Sequence, residues 1–266
     1  MMTMTRPVTA ENVTYMVSLQ PEQFSAGIFM VDKPAGISSF KVVSVMRRIL
    51  SIKKVGHAGT LDPFATGLLI VCGGRPATRL ISRFMEGEKE YLATLRLGVE
   101  TTTQDPEGEI VSQKDVGCIG PEQVEACLEK YRGWQLQTPP SYSALKHKGK
   151  PLYYYARKGI EIKKEPRKVE IKTLERIDSG KNRLTADYPE LSVRVVCSKG
   201  TYIRTLAEDI GRSLGCGAHL NQLRRVRSGC FSVSNALGWE QLSGPGALDE
   251  CLKTMLTVEQ VAKLLQ

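Results

Sequence analysis

The chain has 266 residues, 41% of them hydrophobic, enough for one large domain or two small ones around a sizeable core. Its 37 Lys and Arg outnumber 28 Asp and Glu, and the net charge of +9 points to an anionic partner: nucleic acid, a membrane surface or a phosphorylated substrate. No window reaches the roughly eighteen apolar residues of a membrane span, and the stretch up to Gln23 lacks a signal peptide's apolar core, so a soluble, cytoplasmic protein facing nucleic acid is expected.

The cysteines (Cys72, Cys118, Cys127, Cys197, Cys216, Cys230, Cys251) are scattered without a C-x-x-C pair, and the histidines are too dispersed to share a metal. Buried free thiols and no metal site are expected. Residues 1–26 are polar and aperiodic and read as a loose arm. Gly27-Ile28-Phe29-Met30-Val31 reads as a strand, followed by turn chemistry in Asp32-Lys33-Pro34-Ala35-Gly36 with Lys33 at the apex. Ser38 or Ser39 can cap a helix that turns Phe40, Val43, Met46 and Leu50 inward. Arg47, Arg48, Lys53 and Lys54 near its far end suit either the helix C-terminal carbonyls or phosphate.

Next comes Gly56-His57-Ala58-Gly59-Thr60-Leu61-Asp62-Pro63-Phe64-Ala65-Thr66-Gly67, whose glycines and proline predict a tight, irregular loop. Pro63 holds Asp62 in extended backbone, and Leu68-Leu69-Ile70-Val71-Cys72 reads as a buried strand anchoring the loop. A lone carboxylate on a stiff loop beside a core strand suits chemistry, although an Asp-Pro turn has the same local form. Arg75, Arg79 and Arg83 recur every four residues on one face of a short helix, either solvated or tracking phosphates. Residues 89–98 alternate as a half-buried strand with Tyr91, Ala93, Leu95 and Leu97 on one side, where the Tyr91 ring can line a cleft.

Residues 101–108 form a polar loop containing Asp105-Pro106. Pro121 starts a helix with Val124, Cys127, Leu128 and Tyr131 inward and Gly133 as its stop. Residues 138–160 interleave lysines and arginine with Tyr142, Tyr153, Tyr154 and Tyr155, the composition of an RNA-stacking surface and equally of a tyrosine-rich core helix. Strands are expected at 169–174 and 191–197, then a helix from Thr201 with Ile203, Leu206, Ala207, Ile210 and Leu214 inward and Gly215 as stop. Arg204 precedes Glu208 by four, the spacing of a surface ion pair, yet it opens a helix directly after a strand, where it can reach a cleft. Arg224, Arg225 and Arg227 cluster around Leu223, and from Leu237 one or two short helices are expected, the last with a capping box at Thr257 and Gln260.

The glycine loop, Tyr91 in Lys89-Glu90-Tyr91, the string Tyr142-Ser143-Ala144-Leu145-Lys146 and the string Ser198-Lys199-Gly200-Thr201-Tyr202-Ile203-Arg204-Thr205 occur in this order. So arranged, they closely resemble the TruB family of bacterial tRNA pseudouridine-55 synthases, from about Ile28 to about Val233. The resemblance implies an α+β pseudouridine synthase fold: a mixed, largely antiparallel central sheet flanked by helices, with an active-site cleft across it. It implies isomerisation of a uridine in the tRNA T-arm without cofactor or metal, the base being detached from C1′, rotated and rejoined through C5. Asp62 would be the catalytic carboxylate and Arg204 the arginine that pairs with and orients it. Tyr91 would stack on the target base and take part in proton movement at C5. His57 would fill the stack left by the flipped uridine, and Tyr202 and Leu223 would hold the base. Asp105 and Lys33 would support Arg204 and the catalytic loop.

Residue 102 is Thr where the family often has Asp, so no role is carried onto it. The expected organisation is an arm at 1–26, a catalytic domain at 27–236 with an RNA-binding insert near 138–160, and a short helical tail at 237–266. About thirty residues follow Val233, too few for the PUA-like domain of many bacterial members, so either greater reliance on the catalytic domain and its insert is expected or the chain is shortened. The expected partner is tRNA alone, bound by a monomer needing no protein partner or guide RNA. The alternatives are a guide-dependent synthase and an RNA chaperone with secondary catalysis.

Overall fold

A computed structural model describes residues 24–117, 119–177 and 189–265. The expected arm up to residue 23, and Cys118, lie outside the described residues. The chain divides into two compact units: the first takes the described residues up to Leu61, Gly67–Gly87 and those from Arg227 onward, the second Asp62–Thr66 and Glu88–Val226.

The first unit opens with β1 (Gly27–Lys33), α1 (Ser39–Ile49), β2 (Val55–Ala58) and β3 (Thr66–Gly73), then α2 (Arg75–Thr78) and α3 (Ile81–Glu86). β1 runs antiparallel to β3 from Gly27↔Gly73 to Lys33↔Gly67, and β2 pairs antiparallel with β3 from Val55↔Gly73 to Ala58↔Ile70. The glycine string is therefore a β-hairpin with Asp62 in its connection, and Gly56 lies in a strand rather than in the loop. Both faces of β3 are buried: Leu69 and Val71 pack with Phe29, Val42 and Met46, while Leu68, Ile70 and Cys72 pack with Ile28 and Phe84. Burial on both faces explains the unbroken apolar run, since alternation is required only where one face meets water.

Three expectations need correction here. Ser38 caps α1, but the buried face is centred on Val42, Val43 and Met46, and Phe40 falls outside it, 63% exposed, with the Arg47 guanidinium 5.5 Å from its ring centroid. Lys33 is no turn apex: it ends β1 fully buried, its ammonium donating to the carbonyls of Pro34 and Ile37 at 2.8 Å each. The stripe of Arg75, Arg79 and Arg83 is split between α2 and α3, and Arg83 donates instead to the Leu265 carbonyl at 2.9 Å.

The second unit contains β4 (Lys89–Leu97), the hairpin β5 (Val99–Thr101) and β6 (Ile110–Gln113), α4 (Pro121–Lys130) and β7 (Gly133–Gln137). A two-stranded piece, β8 (Lys146–His147) with β9 (Lys150–Pro151), leads into α5 (Leu152–Ala156). β10 (Arg167–Arg176), β11 (Glu190–Cys197), α6 (Ile203–Ser213) and β12 (Ala218–Ser228) complete it, with strand order β12-β4-β11-β10-β7. The pairs β4–β11, β11–β10 and β10–β7 are antiparallel. Tyr91, Ala93, Leu95 and Leu97 of β4 are buried, as are Val124, Cys127 and Leu128 of α4 and Ile203, Leu206, Ala207 and Ile210 of α6. α4 stops at Lys130, and Gly133 opens β7 with φ 86° instead of ending the helix.

The chain then returns to the first unit as β13 (Phe231–Ser232), α7 (Trp239–Ser243), α8 (Ala247–Thr254) and α9 (Val258–Leu264), three tail helices where one or two are expected. The Thr257–Gln260 capping box is present. Leu256 exchanges backbone hydrogen bonds with Ile28 of β1, and Leu237 donates to Met30 and accepts from Asp32, so these residues pack with the core of the first unit. Cys72, Cys127, Cys197, Cys216 and Cys251 are buried free thiols, whereas Cys230 is exposed. Among the described residues no helix is long and apolar enough to cross a membrane.

Candidate active site

Asp62 follows Leu61, whose amide and carbonyl are both bonded by the Ser39 hydroxyl at 2.9 Å. The Ala65 amide closes a turn onto the Asp62 carbonyl at 3.1 Å, and Thr66 Oγ1 donates to the Leu223 carbonyl at 3.4 Å. Gly59 has φ 82°, an angle that explains a glycine at this bend.

Arg204 occupies the first turn of α6 with its side chain 5% exposed, and its Nε donates to Asp62 Oδ2 at 2.9 Å. Nη1 donates to the Thr103 carbonyl at 2.8 Å and to Asp105 Oδ2 at 3.2 Å, and Nη2 to the Tyr142 carbonyl at 2.7 Å. One planar guanidinium thus joins acceptors from three separate stretches of chain. Its carboxylate partners are Asp62 and Asp105, not the half-buried Glu208 that spacing alone offers. Asp105 is buried and accepts also from Thr103 Oγ1 at 2.5 Å and the Glu107 amide at 3.1 Å. Asp62 differs: its side chain keeps 32% exposure. The pair therefore presents an oriented carboxylate that is still about one-third exposed.

Tyr91 is buried on β4, opposite Val195 of β11. Burial pushes its phenol up, the Arg225 guanidinium and its hydrogen bond to the phenol pull it down, and the negative charge of Asp62 pushes it up again. Arg225, 2% exposed, is a member the sequence reading left without a role. Its signal is period two: on a strand it shares the face of Leu223, but three arginines in four residues read as a charged surface instead. Tyr202 is the N-cap of α6, clamped by Gln137, which accepts from the Tyr202 amide at 2.7 Å and donates to its carbonyl at 3.0 Å. Leu223 is buried on β12.

The second unit thus brings Asp62, Tyr91, Asp105, Arg204 and Arg225 together, with Leu223 tied to Thr66. Lys33 and His57 belong to the first unit, His57 opposite Val71 in the β2–β3 ladder. That unit also holds a cleft of about 460 Å³ whose lining includes the cations Lys54, Arg75 and Arg79. In the 138–160 insert, Lys150 and Lys158 lie 4.3 and 4.7 Å from the Tyr154 ring centroid and, by hydrogen bonding, bring its phenol down to about 8. Tyr154 and His147 both meet the Tyr155 ring edge-on. Among the described residues no group of three or more His, Cys, Asp or Glu is placed to hold a metal ion.

The family model described as TruB family pseudouridylate synthase (N terminal domain) matches residues 47–203, and that described as tRNA pseudouridylate synthase B C-terminal domain matches residues 204–263. A protein of Desulfotalea psychrophila named tRNA pseudouridine synthase B is 59% identical over 248 residues, which are 93% of this chain and 100% of that protein. One of the same name from Chromobacterium violaceum is 50% identical over 79% of this chain and 66% of its own length. Among solved structures, a chain of a Cbf5-Nop10-Gar1 complex superposes with TM-score 0.66 at 26% identity, covering 90% of this chain and 62% of that one. The chain belongs to the TruB family of pseudouridylate synthases, RNA-modifying isomerases with the α+β pseudouridine synthase fold.

Proposed function

We propose that this chain isomerises uridine 55 in the T-arm of tRNA to pseudouridine, with Asp62 as the catalytic carboxylate. The observation that carries this reading is the Asp62–Arg204 pair, an acid oriented at 2.9 Å by a buried cation while its own side chain keeps 32% exposure. In the reaction the N1–C1′ bond breaks and a C5–C1′ bond forms; a proton leaves C5 and one is gained at N1. The first step needs a single oxygen beside C1′, as nucleophile or as charge stabiliser. A second carboxylate placed to activate water would favour hydrolysis, and Asp105 is buried and committed to Arg204.

The target uridine must leave its stack to reach Asp62, at a cost of a few kcal/mol. In this reading Tyr91 stacks on the flipped base, and its phenol, bonded by Arg225, moves the C5 proton. Tyr202 and Leu223 hold the base, His57 occupies the vacated stack, and Asp105 and Lys33 support Arg204 and the catalytic hairpin. Lys54, Arg75 and Arg79 supply phosphate contacts, and the cation–tyrosine cluster of the 138–160 insert meets RNA as well. Residues 27–236 act as the catalytic domain and 237–266 as its helical tail. The enzyme works in the cytoplasm as a single chain on free tRNA, without cofactor, metal or guide RNA.

The test is incubation of the purified chain alone with an unmodified tRNA transcript, followed by mapping of pseudouridine. Conversion at position 55 is expected. No conversion until a second RNA or protein is added would favour the guide-dependent mode of Cbf5-type assemblies instead.

A further inference from the structure

Gln104 stands between the two residues that receive Nη1 of Arg204, the Thr103 carbonyl at 2.8 Å and the Asp105 carboxylate at 3.2 Å. Its φ is 62°, in the left-handed region that residues other than Gly, Asn and Asp rarely occupy. The side chain reaches back to α6, the helix that carries Arg204: Nε2 donates to Glu208 Oε2 at 2.7 Å, and Oε1 accepts from Thr205 Oγ1 at 3.3 Å. Its carbonyl accepts from the Leu220 amide on β12 at 3.0 Å, three residues before Leu223. Glu208 is itself held on its other oxygen by Arg212 at 3.1 Å, and Arg212 pairs with Glu100 at 2.9 Å.

We propose that Gln104 is a positioning residue for the pseudouridine reaction, a brace that sets where Arg204 holds Asp62; this rests on the function proposed above. The segment Thr101-Thr102-Thr103-Gln104-Asp105 has no apolar side chain to anchor it, so its position is set by polar links. The guanidinium joins it to α6 from one side and the Gln104 amide joins it to the same helix from another. Side-chain links at two points along the helix fix the spacing and rotation of the two elements more tightly than the guanidinium bonds alone. Loss of the amide link lets the Thr103 and Asp105 acceptors shift, and the rigid guanidinium turns its Nε away from Asp62. The side-chain bonds of Gln104 go to Glu208 and Thr205 of the helix that carries Arg204, so it acts through Arg204.

The experiment compares Gln104→Asn, Gln104→Glu and the double variant Gln104→Glu/Glu208→Gln on a T-arm stem-loop. Asn tolerates the left-handed angle but is one methylene too short for Glu208. Glu sets two carboxylates face to face, and the double variant restores the hydrogen bond with donor and acceptor exchanged. Gln104→Asn and Gln104→Glu are expected to lower kcat about 10- to 100-fold with KM unchanged, the size of effect that a small misplacement of a reacting group produces. The double variant is expected to recover kcat.

The second readout is hydrogen exchange at the Arg204 Nε–H, followed by NMR of arginine-labelled protein and identified by its loss in Arg204→Lys. It is expected to speed up in both single variants and to slow again in the double variant. The proposal is overturned if Gln104→Asn keeps kcat within about twofold, if the loss lies in KM alone, or if the double variant is no better than Gln104→Glu. Should a single variant fail to fold, recovery in the double variant still decides. Should the unaltered protein convert no uridine, the proposed function fails, while the exchange measurement decides the brace independently.

Discussion

Arg204 is a cation withdrawn from water, and every acceptor around it offsets the cost of that withdrawal. Removing one partner of such a pair leaves a buried charge uncompensated, at a cost of about 3–5 kcal/mol, so the arrangement is held firmly in place. Asp62 and Arg204 are both legible in the sequence because each sits in a distinctive string. Their other partners are not: the carbonyls of Thr103 and Tyr142 belong to the backbone, and no residue type announces them. His219 gives a prediction at this scale. It is buried with Nδ1 2.9 Å from the Val99 carbonyl, and burial depresses its pKa below the ordinary 6.5. As pH falls through 6.5 the unfolded chain gains a proton that the folded chain refuses, so stability drops with pH by up to about 1.4 kcal/mol per unit until the folded imidazole also titrates. Urea midpoints between pH 7 and pH 5 should show this slope, and His219→Gln should flatten it. An equal slope in the variant would contradict the assignment.

Elements with a continuous apolar face are legible in the sequence, and those whose buried face carries charge are not. The run in β3 announces a strand buried on both faces, and the alternation in β4 one with a continuous buried face. β12 is hidden in the sequence because Arg224, Arg225 and Arg227 mask its period, although Arg225 is buried and bonded to Tyr91. Phe40 was misplaced because Val42 and Val45 outcompete it for the core face of α1. The position of α6 depends on Gly211, where a methyl group would run into the backbone of Gly217 and Ala218. Gly211→Ala should push α6 outward and cost about 1–3 kcal/mol, read as a lowered midpoint in thermal or urea unfolding. An unchanged midpoint would mean that the helix and the start of β12 are less closely joined than described.

For the whole molecule, order along the chain and grouping in space part company. Residues beyond Arg227 fold with the first strands, joined by the backbone bonds of Leu237 to Met30 and Leu256 to Ile28, and no local pattern signals such distant pairings. Arg204, which pairs with Asp62, and Tyr91, which feels its charge, lie in the second unit with it, although the chain supplies them far apart. The net charge of +9 fits an RNA substrate without naming it. The most direct measurement is single-turnover conversion of a T-arm stem-loop by the unaltered protein and by Asp62→Asn, with stem-loop binding measured beside it. The account predicts complete conversion of one uridine by the former, and none by the latter despite undiminished binding. Turnover by Asp62→Asn would contradict it.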